Sequence, residues 1–480
     1  MRFSAIINIL GLLLVFIGIF MLIPAAIAFY YGDGDFTALL ISSGVSILFG
    51  FITSFFTKIP DEIRPKEGFA IVAFGWGAAA LFGSLPFYIS GAIPSFVDCF
   101  FETMSGFTTT GASILTDIES LPRGVLFWRS LTHWLGGMGI ILLSLAILPI
   151  LGIGGMQLYK AEVPGPTGDK LSPRVRETAK LLWYVYVIFT ISEIILLKIG
   201  GMTLYDSACH TFGTMATGGF STKNGSIGSY NSAYFDIVII LFMIIAGTNF
   251  ALHYKALKGN VKAYWRDQEF RFFIGILTVM TIIIFINVYL NNQANAARAA
   301  REAAFQVVSI GTTTGYGTAN WEQWNAVSQF ILFTLMFVGG CAGSTGGSMK
   351  IVRIMLLIKY GFAELKKVIH PDAVILIRFN GNPVSSEVIT KILSFFLLFV
   401  GIFVISTIIM AMMGLDFMTA MGSVEASIGN IGPGLADVGP TDNYAAVPVP
   451  GKLLLSFLML VGRLEVFTVL VLFHPAFWRK

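Results

Sequence analysis

Residues 305–317 read Phe305-Gln306-Val307-Val308-Ser309-Ile310-Gly311-Thr312-Thr313-Thr314-Gly315-Tyr316-Gly317, a short, weakly apolar stretch that ends in small residues around a Gly. The pattern recurs as Phe101-Glu102-Thr103-Met104-Ser105-Gly106-Phe107-Thr108-Thr109-Thr110-Gly111-Ala112-Ser113. It recurs again as Cys209-His210-Thr211-Phe212-Gly213-Thr214-Met215-Ala216-Thr217-Gly218-Gly219-Phe220-Ser221 and as Glu425-Ala426-Ser427-Ile428-Gly429-Asn430-Ile431-Gly432-Pro433-Gly434. Aligned on Gly111, Gly218, Gly315 and Gly432, the copies lie 107, 97 and 117 residues apart. Self-similarity at so regular a spacing marks an internal repeat.

The setting of these copies is apolar. Of 480 residues 55% are hydrophobic and only 12% charged, against about 25% charged in ordinary globular proteins, and the mean hydropathy is +0.79. The chain reads as a polytopic membrane protein, which excludes disorder, secretion and nucleic acid as a partner. Cys99, Cys209 and Cys341 show no CxxC spacing, and the five histidines no metal-ligand spacing, so neither a disulfide framework nor a metal-ligand cluster is signalled. The anomaly is 51 glycines, because hydrocarbon tolerates non-helical backbone only where protein buries it or it lines a watery cavity.

Apolar stretches long enough to span lie near 5–30, 37–56, 69–91, 124–150, 181–199, 234–252, 272–290, 325–358, 392–413 and 452–473. The first is read as a retained helix, its apolar core being too long for a signal peptide. With the N-terminus inside, 21 of the 31 Lys and Arg residues fall on inner segments, which predicts a multi-pass protein with both termini cytoplasmic. The repeated stretches then follow spans three, five, seven and nine, all on the outer side. Each is too short to cross and reads as a re-entrant segment. The expected fold is an all-α polytopic membrane protein with four pseudo-symmetric helix/pore-loop/helix repeats around one pore. The units are 67–155, 175–257, 268–360 and 388–480, preceded by an N-terminal two-helix hairpin at 1–66. Asp98, Asp206 and Asp416 begin three re-entrant segments, where carboxylates would cap helix N-termini.

A dehydrated alkali cation needs oxygens in place of its water, and four Gly-containing strands can supply carbonyls, with Thr hydroxyls below. Thr313-Thr314-Gly315-Tyr316-Gly317 differs by one residue from the TVGYG strand of potassium filters. Candidate ion ligands are therefore Thr109, Thr110, Gly111, Ala216, Thr217, Gly218, Thr313, Thr314, Gly315, Asn430, Ile431 and Gly432. The competing reading is that Thr and Gly here serve only turns and helix contacts. The departures of the other loops from TVGYG imply looser discrimination against sodium than a fully symmetric filter gives.

On these loops, on 128–139, on the Gly-rich run of span eight and on Arg463-Leu464-Glu465, the chain resembles the Trk/Ktr/HKT superfamily of potassium transporters, specifically its TrkH-type bacterial subunits. The resemblance implies potassium uptake across the bacterial cytoplasmic (inner) membrane, with K+ as the transported ion and no organic cofactor in this chain. It also implies a homodimer and a cytosolic nucleotide-binding partner of the TrkA kind. The alternatives are a Ktr-type sodium-dependent potassium or potassium/sodium transporter, a sodium or ammonium transporter, and an intramembrane enzyme, although the spans show no paired catalytic residues.

Span eight carries Gly339, Gly340, Gly343, Gly346 and Gly347 ahead of Lys350, at a cost of up to about 1 kcal/mol per Gly against Ala in a helix. The run predicts a broken helix, either a passive kink or, as the resemblance implies, a gate. Arg463 in the last span costs at least ~2.5 kcal/mol at mid-membrane unless paired or hydrated. It is read as a pore charge below the filter, or else as a partner of Glu193 or Glu102.

Overall fold

The computed structural model describes residues 1–57, 64–139, 175–292 and 295–479. Among them the only strands are Arg378–Phe379 and Asn382–Pro383, which pair antiparallel. The inner half of the span expected at 124–150 and the basic stretch from Lys160 to Arg174 lie outside the described residues.

Helices α1 (Phe3–Phe20) and α2 (Leu22–Tyr31) run on as one span, and α3 (Phe36–Phe55) returns beside it. Two glycines let these helices touch. A Cβ on Gly11 would lie 2.7 Å from the Gly50 carbonyl oxygen, and one on Gly50 2.8 Å from the Val15 nitrogen. Buried Asn8 donates to the carbonyls of Ser54 (2.8 Å) and Thr57 (2.9 Å), covering the end of α3.

Four units of one plan follow. The first has α4 (Pro65–Gly83) with α5 (Leu85–Ile89), then α6 (Phe96–Phe107) and α7 (Arg123–Trp134), which ends in a π turn at Leu135–Gly139. The second has α8 (Val175–Ile199), α9 (Leu204–Met215), α10 (Ala233–Ala246) and α11 (Phe250–Leu257). After the short connector α12 (Lys262–Arg266), the third has α13 (Gln268–Asn292), α14 (Ala296–Gly311), α15 (Ala326–Met336) and α16 (Ile351–Ile369). The fourth has α17 (Ser386–Met412), α18 (Phe417–Ile428), α19 (Val449–Arg463) and α20 (Phe467–Leu470). In every unit a long helix is followed by a short one, of 12 residues in α6, α9 and α18 and 16 in α14. At about 1.5 Å per residue none of these crosses a bilayer.

Six described stretches are long and apolar enough to span, and two of the expected spans are bent rather than straight. The one read at 234–252 turns by 103° between α10 and α11, and the one read at 452–473 by 113° after α19. Local chemistry makes both corners. Asn249 accepts from the Ala251 nitrogen at 2.8 Å and so starts a new helix, while Glu465 (φ 55°) and Val466 (φ 37°) are left-handed.

The N-terminal hairpin is fastened to the first unit by charge. Helix α7 opens on Pro122, which offers no side-chain cap. Asp33 accepts from the Arg123 nitrogen (2.9 Å) and Asp35 from the Val125 nitrogen (2.7 Å), so another part of the chain fills the anion-seeking helix start. Replacing Asp35 by Ala is expected to cost about 1 kcal/mol, read as earlier thermal unfolding in detergent, with Asp35→Asn recovering most of the loss.

Candidate functional site

The short helices α6, α9, α14 and α18 open on side-chain caps from Ser95, Thr203, Asn295 and Asp416. Asp98 and Asp206, expected to cap α6 and α9, are not the caps. They stand one turn in, behind Ser95 and Thr203, where Asp98 pairs with Lys452 at 2.7 Å and Asp206 accepts from the hydroxyls of Thr203 and Thr222, each at 2.7 Å.

All four helices finish in the same turn. The nitrogens of Thr110, Gly218, Thr314 and Ile431 donate to the carbonyls of Ser105, Gly213, Ser309 and Ala426 at 2.9, 2.8, 2.8 and 2.9 Å. The residues just before, Thr109 (φ 53°), Thr217 (φ 53°), Thr313 (φ 62°) and Asn430 (φ 52°), are left-handed, which costs about 1–2 kcal/mol for a residue with a Cβ. Left-handed glycines close each turn: Gly111, Gly219, Gly315 and Gly432. Gly219, not Gly218, is therefore the equivalent of the other three. Gly218 takes the place of Thr110, Thr314 and Ile431, and Ala216 falls back beside Thr108, Thr312 and Gly429. Adjacent glycines permit either alignment, and only the backbone dihedrals separate them.

The loops close a ring. A Cβ on Gly111 would strike the carbonyl oxygen of Gly218, one on Gly219 that of Thr314, and one on Gly315 that of Ile431. One on Gly432 would lie 2.8 Å from the carbonyl oxygen of Thr110. Each loop thus abuts the next in chain order and the fourth returns to the first, a closure also made by Asn430 Nδ2 donating to Thr110 Oγ1 at 2.9 Å. The carbonyl ends of four helices converge on this ring, and their partial negative charge favours a cation.

A brace stands behind three of the loops. Glu102, His210 and Gln306 occupy one aligned position. Glu102 accepts from Ser113 Oγ (2.9 Å) and the Ile114 nitrogen (2.9 Å). His210 donates from Nδ1 to the Asp206 carbonyl, so its Nε2 takes the Ser221 hydroxyl at 2.9 Å, and Gln306 Nε2 donates to the Ala319 carbonyl at 3.3 Å. Arg129 pairs with Glu102 at 2.7 Å and lies 3.6 Å from the Phe220 ring centroid. Tyr316 donates to the His210 carbonyl (2.8 Å) and Tyr444 to that of Gly432 (2.7 Å).

Below the ring, residues 337–350 leave the helix between α15 and α16. Gly339 (φ 74°), Gly343 (φ 73°), Ser348 (φ 57°) and Lys350 (φ 72°) are left-handed. The segment lies against the carbonyl ends of three short helices. Thr345 Oγ1 donates to Met215 at 3.1 Å, Gly346 approaches the Thr312 carbonyl, and Gly347 packs against Gly429. The Gly347 nitrogen donates to Thr313 Oγ1 at 2.7 Å. Gly340 accepts from the Ile351 nitrogen at 3.0 Å, and buried Lys350 folds its ammonium back onto the Gly346 carbonyl. Arg463 joins the segment to the first unit by donating to the carbonyls of Thr345 (2.8 Å), Gly136 (2.7 Å) and Gly137 (2.8 Å). Glu102 is engaged by Arg129, and the buried carboxylate oxygens of Glu193 have no hydrogen-bond partner among the described residues. Glu465 pairs with Arg353.

A family model described as TrkH, cation transport protein, matches residues 37–480. The chain belongs to the TrkH family. The Trk system potassium uptake protein TrkH of Escherichia coli (strain K12) is 42% identical over 485 residues, covering all of both chains. The Trk system potassium uptake protein TrkG of the same strain is 33% identical, covering 96% of this chain and 95% of its own. The crystal structure of the potassium transporter TrkH from Vibrio parahaemolyticus superposes with a TM-score of 0.90 at 38% identity, covering all of both chains.

In this TrkH-family chain three of the four loop glycines (Gly111, Gly315 and Gly432), the break in span eight and the singular position of Arg463 were legible from sequence. The brace was not, because Glu102 and Arg129 lie 27 residues apart on different helices. That pair is buried on both sides, so removing one partner strands a charge at a cost of about 3–5 kcal/mol. Glu102→Leu should accordingly lower folded yield and the unfolding midpoint sharply, and adding Arg129→Met should restore part of both.

Proposed function

We propose that this chain is the potassium-translocating subunit of a Trk-type uptake system. The ion passes through the ring of four loops, and the segment of residues 337–350 gates it. The observation that carries this reading is the cyclic closure of the loops in chain order; in this reading the loops surround one axis and offer it backbone carbonyls and the hydroxyls of Thr109, Thr217 and Thr313. The potassium uptake named for the relatives fits such a cage, in which oxygens stand in for an ion's water. Units 67–155, 175–257, 268–360 and 388–480 then form one pore beside the hairpin of 1–66, with both termini in the cytoplasm.

As a gate, the segment blocks the axis because it rests on the inner carbonyl ends of three short helices, and its five glycines, which carry no side chain to interlock, let it be withdrawn. Arg463, tied to Thr345, places a cationic group beneath the ring and lowers cation occupancy there while the segment is in place. A homodimer with one pore per chain, bound by a nucleotide-sensing cytosolic partner of the TrkA kind, supplies the force that withdraws it.

Growth of a potassium-uptake-deficient strain at low potassium tests the pore. The parent chain is expected to rescue growth and Gly315→Ser to abolish rescue, since a side chain there meets the Ile431 carbonyl; rescue by neither, or equally by both, overturns the proposal. Vesicle flux tests the gate. Deleting Ala342 to Thr345 is expected to raise partner-free flux, as is Arg463→Ala to a smaller extent, whereas unchanged flux in a folded deletion variant would sink the gating role.

A further inference from the structure

We propose that Glu269 is the positioning residue that clasps the Gly-rich segment shut and passes movement of the inner hairpin to it. This rests on the gate reading above.

Glu269 is the second residue of α13 and is 4% exposed. One of its oxygens, Oε1, accepts from the Ala342 nitrogen at 2.7 Å and from the Val352 nitrogen at 3.2 Å. Ala342 is in the first limb of the segment and Val352 in the first turn of α16, so a single carboxylate oxygen ties together the two sides of the break. The position is chemically apt. Helix α16 begins at Lys350, which supplies no side-chain cap, and its exposed N–H groups and positive dipole end call for an anion.

Other side-chain anchors hold the segment, namely Arg463 on the Thr345 carbonyl, the Thr345 hydroxyl on Met215 and Thr313 Oγ1 under the Gly347 nitrogen, but none of these joins it to α16. Its glycines offer none, Lys350 is folded onto Gly346, and Arg353, facing Glu465, rests on the Phe395 ring at 4.1 Å. Hydrogen bonds from backbone N–H to a buried carboxylate are among the stronger ones available.

The residues just before Glu269 are held from the other side. Asn380 and Gly381, both left-handed (φ 49° and 84°), form the turn of the hairpin Arg378–Phe379/Asn382–Pro383. Asn380 accepts from the Gln268 nitrogen and donates to Asp267, each at 2.8 Å. Lys359 Nζ joins Gln268 Oε1 (2.9 Å) to the Arg378 carbonyl (2.8 Å). Asn380, Gly381 and Asn382 are exposed. Displacing this tip pulls on Asp267 and Gln268, and through the adjoining peptide on Glu269 and both limbs of the segment.

The test uses the full chain in potassium-loaded vesicles without any partner, with the native thiol Cys341 as a second readout. Cys341 sits beside Ala342 and is buried. Glu269→Leu, which has no acceptor, is expected to raise flux roughly tenfold, the effect of losing one charge-assisted hydrogen bond from the closed form. Iodoacetamide should then modify Cys341 faster while Cys99 and Cys209 stay unreactive, as resolved by peptide mass mapping. Glu269→Gln keeps a carbonyl acceptor and should behave nearly as the parent, which a general packing defect would not explain. Asn380→Ala should raise both readouts more weakly.

A folded Glu269→Leu variant with unchanged flux and unchanged Cys341 reactivity overturns the clasp. If that variant fails to fold, unchanged readouts in Asn380→Ala overturn it instead. The deletion of Ala342 to Thr345 is run alongside. Raised flux there with none in Glu269→Leu removes the clasp and leaves the gate, whereas unchanged flux in both removes the gate and the clasp with it.

Discussion

Backbone that is not helical has nothing to bond to in hydrocarbon, and this chain packs four irregular loops and one broken helix among its apolar helices. The architecture answers that demand with backbone against backbone. In the ring, each glycine makes room for the next loop's carbonyl. Beneath it, Arg463 collects three carbonyls and Glu269 two amide groups, so one guanidinium and one carboxylate serve backbone that no ladder serves. The many glycines and the few buried charges answer the same demand from opposite sides.

Some of this was legible in the sequence and some was not. The Thr and Gly loops announce themselves because only small residues pack so closely, and the Gly run of span eight because no helix keeps five such residues. Gly219 was hidden behind Gly218, as composition does not carry a dihedral angle. Hydropathy averages over a window, so it passed across the corners at Asn249 and Glu465, each made by one or two residues. Asp98 and Asp206 are typical capping residues, yet Ser95 and Thr203 stand one turn earlier and take the N–H groups first. Glu269 left no trace, because both its partners are backbone groups of a distant segment.

The four loops share a backbone but not their side-chain chemistry. Thr109 Oγ1 is buried without a hydrogen-bond partner among the described residues, Thr217 bonds its own turn, and Thr313 accepts from the Gly-rich segment. Asn430 reaches across to the first unit. A ring of identical subunits would repeat one solution four times. A single chain gives one copy to contact with the Gly-rich segment and another to closure.

That closure also has a consequence for biosynthesis. The bond between Asn430 and Thr110 joins residues 320 positions apart, and the first three loops are made long before the fourth. Until the last unit is made, Gly432 has not met Thr110 and the ring stays open on one side. A chain released before the last unit is made therefore lacks the partner that Thr110 meets in the finished ring.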